Sequence, residues 1–423
     1  MKALKTVEPT VIISAGVDWF TSSSWRYFVF IFLLSMAIRV CKLSQVDSRY
    51  LVPTTDHELS SIAISLLETG QFADPYMLPT GPTAHLPPIF PALIFLNYRW
   101  LGLTSEAGFA GWVFIAATSS VLYGMLPWFS QKLGTGKQAG FIGGIMGALW
   151  VVWTGHGEAL TAVILALLLV LFLRRWRGRR TSVGRSFLLG VAIGAAFHLQ
   201  PALLPVIIGC LLFELWWSQD RRKWSLVGAV VLGVFLSCVP WAWRNYQAFG
   251  TFFFIRSNLG LELRMGNHDG AAATMEVMDE EEHKHKHPRS HIAEARMLRE
   301  VGEVAYMEEA QHEAWQWIGT HPAQFLWLTV QRAANLWGGP LHRPFSAAGV
   351  FALTVLAVWG FWRSMLGLTV PQRAAFLIPL LFYPLIYYVV AYMPRYRVPI
   401  DWILLILAGN AIWRMFNRPS VRQ

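Results

Sequence analysis

The sequence predicts an all-α polytopic membrane protein, and three observations carry that prediction. Hydrophobic residues make up 55% of the 423-residue chain and charged residues only 14%, where a soluble domain carries about 25% charged residues. Eleven apolar segments approach the roughly 20 residues that a helix needs to cross the hydrocarbon core. Basic residues gather in clusters between those segments, as they do in cytoplasmic loops. The net charge of +10 is therefore explained by topology, and a nucleic-acid partner is excluded. Cys41, Cys210 and Cys238 all lie in apolar stretches, so neither a disulfide framework nor a metal-thiolate cluster is expected. The first apolar run, Tyr27 to Leu43, is followed by no small-residue cleavage site and reads as a retained anchor.

Each segment is placed by the charges beside it. The apolar runs are 27–43, 87–103, 107–129, 139–154, 159–173, 185–199, 201–217, 225–243, 346–362, 374–392 and 400–415. The strongest basic cluster, RRWRGRR with Arg174, Arg175, Arg177, Arg179 and Arg180, is taken as cytoplasmic. Counting onward, every later cluster falls on the same side if each run crosses once. Counting backward, 87–103 breaks the pattern, because a crossing there puts Lys2 and Lys5 on the wrong side. HLPPIFPALIFLNYRWLG, with three prolines near its start, is therefore read as an interfacial or re-entrant helix. The expected organisation is a cytoplasmic N-terminus (1–26) and a transmembrane region (27–243) holding a first outer loop, 44–106. A second outer loop (244–345) and a C-terminal transmembrane region with a short cytoplasmic tail (346–423) follow. That gives about ten spans, with both termini inside.

Carboxylates concentrate in the two outer loops. The first holds Asp47, Asp56, Glu58, Glu68, Asp74 and Glu106, and the second holds 13 of the 25 acidic residues. In TTDHELSSIAISLLETG, Thr55 and Glu58 have the spacing of a capping box. Leu59, Ile62, Ala63, Leu66 and Leu67 recur at helical spacing, and Gly70 is placed to end the helix. Glu58 thus has a structural task. Asp56 has two readings: a charge complementing the helix dipole, or an ionised general base. Downstream, ADPYMLPTGPTAHLPP reads as a rigid loop returning to the membrane, with His85 just before the interfacial helix.

Several stretches together resemble a family. An acidic pair opens the first-loop helix, and Gly70, Phe72, Pro75 and Tyr76 follow in a G-x-F-x-x-P-Y pattern. His85 then precedes a Pro-Pro pair leading into the interfacial helix. WAWRNYQAFGTFFFIRSNLGLELRMGN, THPAQFLWLTVQRAANLW and PRYRVPIDW extend the likeness over most of the chain. The chain is similar to the C-type (GT-C) membrane glycosyltransferases, most of all the family 39 group with protein O-mannosyltransferases and lipid A aminoarabinose transferases. The resemblance implies a GT-C-like helical bundle and transfer of a sugar from a polyprenyl-phosphate donor to an acceptor hydroxyl. It implies a bacterial inner-membrane enzyme whose active site faces the periplasm, with Asp56 as base. Two departures stand out: His57 separates the acidic pair, and His85 stands where the aminoarabinose transferases carry Lys.

Arginine binds phosphate bidentately and stays charged, so Arg395, Arg397, Arg256 and Arg264, with His85, are the candidate ligands for the donor phosphate. Arg244, beside Trp241 and Trp243, reads as an interface anchor. His283, His285, His287 and His291 are spaced by twos and fours in a charge-rich stretch, which does not gather them on one helix face. No metal site and no required cofactor are therefore expected, and nothing in the sequence points to a divalent cation. AEARMLREVGEVAYMEEAQHEAWQWI reads as one helix whose charges face solvent. The expected partners are the lipid-linked donor, a lipid, glycan or protein acceptor, and membrane lipids. The competing reading is a lipid or glycolipid transporter or flippase, which calls for ionisable residues inside the bundle.

Overall fold

A chain in hydrocarbon must satisfy its backbone groups internally, and helices do so within one segment. The computed structural model describes residues 23–150, 157–178, 181–278 and 286–417. Among them the chain is all-α, with no strand and two isolated bridges, Ala73–Pro82 and Thr274–Tyr392. The N-terminal 22 residues, Arg179, Arg180, His283, His285, Arg418 and Arg422 lie outside the described residues.

The helices follow in chain order. The first eight are α1 (Ser24–Leu43), α2 (Glu58–Thr69), α3 (Ile89–Leu101), α4 (Ser105–Leu133), α5 (Lys137–Leu149), α6 (Glu158–Trp176), α7 (Val183–Phe197) and α8 (Leu204–Trp217). Next come α9 (Lys223–Phe249), α10 (Leu259–Gly266), α11 (Ile292–Val301), α12 (Glu303–Thr320) and α13 (Pro322–Gly338). The chain closes with α14 (Pro344–Ser364), α15 (Val370–Phe382) and α16 (Val398–Phe416). Among the described residues, six stretches are long and apolar enough to cross a membrane: Ser105–Leu133, Glu158–Trp176, Lys223–Phe249, Pro344–Gly367, Val370–Tyr388 and Pro394–Phe416. The sequence led us to expect about ten. The difference lies in α1, which carries Arg26, Arg39 and Lys42, and in α5, α7 and α8, which have 13, 15 and 14 residues. At 1.5 Å per residue these three reach only about 20 Å. The proline-led α3, with 13 residues, is likewise short of a crossing.

The bundle packs through small residues. Helix α16 lies between α5 and α14, and α1 packs on α4 and α5. A Cβ on Gly143, Gly360 or Gly409 would overlap a backbone carbonyl of the facing helix, so these glycines set the backbone separation. Buried charge in the bundle is held by hydrogen bonds or by an ion pair. Within α1, Arg39 donates to Ser35 Oγ (2.7 Å) and Ala148 O (3.2 Å) and lies over the Tyr123 ring, 5.1 Å from its centroid. Arg175 Nε donates to Glu214 (2.9 Å), and its Nη1 to Ser186 Oγ (2.8 Å). Arg39, Arg175 and Glu214 are thus engaged in ties between helices.

Two segments outside the bundle pack on each other. Residues 44–106 contribute α2 and α3, which share a small core of Ala63, Ile64, Tyr98 and Ala107. Residues 250–343 contribute α10 to α13, with α10 and α12 joined through Leu261, Met265, Tyr306 and Met307. The single helix expected over 293–318 is broken at Gly302, whose φ of 85° is a left-handed value. Its charges do not all face solvent either, since Glu303 is buried.

Removing one partner of a buried ion pair leaves the other charge uncompensated and costs about 3–5 kcal/mol. Glu214→Gln should therefore lower the thermal midpoint of the detergent-solubilised protein clearly. Glu308→Gln, on α12, should leave it unchanged. Equal midpoints for the two variants would refute the structural role of Arg175–Glu214.

Candidate functional site

Where the first loop meets the bundle, a cavity of about 760 Å³ opens. Its walls come from the chain after α1, from α2, α3 and α4, and from Arg395 in the short turn before α16. Phe90, Leu93, Ile94 and Phe114 contribute apolar wall; Asp56, His57, Arg49 and Arg395 are its acidic, imidazole and basic groups. Gly108 lets the wall close, since a Cβ there would overlap the Leu51 carbonyl.

Asp56 sits in a turn just ahead of α2. Its Oδ2 accepts from Thr54 Oγ1 (2.8 Å), and its own amide donates to the same hydroxyl (3.3 Å). The carboxylate is exposed to the cavity rather than packed on the apolar stripe of α2. The expected capping box is not formed. The helix begins at Glu58 with His57 as its N-cap, which makes no side-chain cap. The Glu58 carboxylate faces histidines from other segments instead of the helix end, while the Thr55 carbonyl accepts from Ser61 Oγ (3.0 Å) of α2 itself and from Arg289.

Glu58 faces two imidazoles. Its Oε2 lies 3.1 Å from His85 Nε2 and its Oε1 lies 3.6 Å from His287 Nε2. His85 is buried, and burial disfavours its charged form. The charge and hydrogen bond of Glu58 outweigh that effect and raise its pKa above the ordinary value, with Arg256 opposing and Glu303 adding to the rise. His287 Nδ1 accepts from the Arg289 amide (3.0 Å), so its proton sits on Nε2, towards Glu58. Glu58, His85 and His287 bring one ligating atom each within 4.8 Å of one another. Two imidazoles and a carboxylate form a donor set suited to a zinc-class cation. The sequence offered only the histidine-rich stretch for a metal; the fold groups its His287 with Glu58 and His85 instead. The same three side chains form a carboxylate clamp between two imidazoles, with the His287 proton turned towards Glu58.

The other candidates separate into two sets. Arg395 shares the cavity with Asp56, its Nε 3.6 Å from Glu158 Oε1. His85, Arg256, Arg264 and Arg397 do not line it. Arg256 donates to the His85 carbonyl (2.9 Å). Arg264 is buried against Glu294 (2.7 Å) and Tyr306, and Arg397 is buried against Asp401 and the Leu336 carbonyl (3.1 Å). Arg244 is more than an interface anchor: it donates to the Phe72 and Thr83 carbonyls (2.8 and 2.7 Å).

Arg49, Arg289 and Glu303 escaped the sequence reading. Arg49 lines the cavity while paired with Asp47 (2.7 Å). Arg289 donates to Thr55 O, Pro75 O (3.2 Å) and Ser61 Oγ (3.4 Å), and the charges of Glu58 and Asp56 both act on it. The local signal for Arg49 was its place six residues after the first apolar run.

No family model matches the chain, and no curated protein matches its sequence. Its structure is similar to that of the archaeal oligosaccharyltransferase AglB from Archaeoglobus fulgidus. The AglB complex with an inhibitory peptide and a dolichol-phosphate matches with a TM-score of 0.53 at 13% identity, over 96% of this chain and 53% of that one. The enzyme tethered to an acceptor peptide gives 0.52 at 14% identity, over 95% and 52%. The apo form gives 0.55 at 15% identity, over 94% and 51%. The fold is that of the C-type membrane glycosyltransferases. The chain spans about half the length of these enzymes.

The raised His85 pKa fixes the sign of a pH effect. A raised folded-state value contributes stability that is present below the ordinary histidine pKa of about 6.5 and is lost as pH rises through the folded value. The thermal midpoint of wild type minus that of His85→Gln should therefore be largest in mild acid and shrink towards alkaline pH. A difference that grows with pH would overturn this account of the clamp.

Proposed function

We propose that the protein is an integral membrane glycosyltransferase that moves a sugar from a polyprenyl-phosphate donor to an acceptor hydroxyl at the outer face of a bacterial inner membrane. The observation that carries this reading is the cavity holding Asp56 and Arg395 between apolar walls. A carboxylate and a guanidinium lining one cavity are the groups such a transfer needs, and the apolar side suits a prenyl chain. The GT-C fold supports it, as does the capture of a dolichol-phosphate and a peptide by the archaeal enzyme of that fold.

In this mechanism Asp56 accepts the proton of the acceptor hydroxyl as its oxygen attacks the anomeric carbon. The bond from that carbon to the phosphate oxygen breaks, and the lipid phosphate leaves with the electron pair. Arg395, with Arg49 at the cavity wall, neutralises the departing phosphate. Thr54 orients the carboxylate through its hydroxyl. Glu58 is the lesser candidate for the base, because its carboxylate is already engaged by His85 and His287.

General-base assistance is worth about 10²–10⁴-fold in rate. Asp56→Asn should lower transfer by purified protein by that order while leaving binding of the lipid donor near wild type. Glu58→Gln should retain substantial transfer. The reverse ranking would make Glu58 the base. Normal turnover in both variants would remove the first loop from the chemistry and return the transporter reading.

Arginine at a bidentate phosphate site is not replaced by lysine. Arg395→Lys should weaken donor use, and Arg395→Ala more so, in assays that titrate the lipid-linked sugar. Unchanged donor affinity and turnover in Arg395→Ala would move the phosphate to another cation.

A further inference from the structure

The turn of residues 83–85 has every backbone polar group accounted for, three of the six by the second large segment. Thr83 N donates to Phe72 O (3.1 Å), and Thr83 O accepts from Arg244 (2.7 Å). Ala84 N donates to Glu303 Oε1 (2.7 Å), and Ala84 O accepts from the Ser257 amide (3.1 Å). His85 N donates to Thr83 Oγ1 (3.0 Å), and His85 O accepts from Arg256 Nε (2.9 Å). Glu303 is the hub of this cradle. Its Oε2 also accepts from Thr83 Oγ1 (2.5 Å) and its Oε1 from Ser257 Oγ (2.6 Å). It is only 5% exposed and is the first residue of α12, where the helix dipole favours a negative charge. The break at Gly302 is what delivers it there.

We infer that Glu303 is a positioning residue for the transfer reaction, acting on Asp56 at third hand through His85 and Glu58; the inference rests on the reading of Asp56 as the base. The chain of contacts is continuous. Glu303 holds the 83–85 turn, the turn presents the His85 ring to Glu58, and Glu58 is the first residue of α2. The Asp56 turn immediately precedes that residue, so a fixed Glu58 fixes the direction from which the Asp56 carboxylate enters the cavity. Glu303 itself does not line the cavity. Its acceptors meet three neutral donors at once. A glutamine has a single acceptor oxygen, and its amide would face a Thr83 hydroxyl already accepting from the His85 amide.

The test compares wild type with Glu303→Gln, Glu303→Asp and Ser257→Ala. It reads steady-state transfer and hydrogen exchange of peptides covering residues 52–62 and 80–86. Outer-shell partners of a site are typically worth about 10–100-fold. Glu303→Gln should lower kcat by that order with little change in KM for the lipid donor. It should also speed exchange in both peptides, although Glu303 touches only the second. Glu303→Asp should restore part of kcat, and Ser257→Ala should shift both readouts in the same direction by less. Faster exchange confined to 80–86, with kcat unchanged, would overturn the inference. Should Glu303→Gln fail to fold, Ser257→Ala decides by the same two criteria. If both peptides loosen in a protein whose wild type shows no glycosyl transfer, the glycosyltransferase reading fails while the mechanical linkage stands.

Discussion

The arrangement depends on one constraint: loops at the end of a membrane bundle must find hydrogen-bond partners in each other. The bundle satisfies its backbone within its helices, while the loops have only small apolar cores. Much of their order comes from ties such as Arg244 to Phe72 and Thr83, Arg289 to Thr55 and Pro75, and Glu303 to Thr83 and Ala84. A buried donor or acceptor left without a partner costs about 1–3 kcal/mol. Each tie therefore fixes the register of one segment on the other, and the cavity takes its shape from that register.

Two carboxylates two residues apart end in different surroundings for this reason. Glu58 is turned towards two imidazoles, and Asp56 is left facing the cavity with a threonine hydroxyl as its local support. Local sequence rules favour Glu58 as a helix cap, and in isolation that preference is sound. It loses because an imidazole presented by another part of the chain is a stronger partner than a backbone amide two or three residues away.

Periodicity and composition made the bundle legible: apolar runs became helices, and the proline-led 87–103 run became the short α3. The all-α class and the order of elements follow from the same signal, because it is local and repeated. What stayed hidden was long-range. Arg264 and Arg397 look like free outer cations until Glu294, Tyr306 and Asp401 are folded onto them. Glu303 looked like one more charge on an exposed helix, and only the left-handed Gly302 turns it inward. Of the site, Asp56 and Arg395, which line one cavity, were each within reach of the sequence because each lies in a loop next to an apolar segment. Arg49 could have been found by the same logic.

The apolar wall of the cavity has a kinetic consequence. Leu93 and Phe114 line the cavity with part of their surface exposed, and the prenyl-linked donor of the proposed reaction would arrive there by lateral diffusion along the bilayer. For such a substrate the relevant concentration is a mole fraction in the lipid phase, not an amount per volume of buffer. Half-saturation would then follow the ratio of donor to total lipid, and adding inert lipid or detergent micelles at fixed donor would slow turnover by surface dilution.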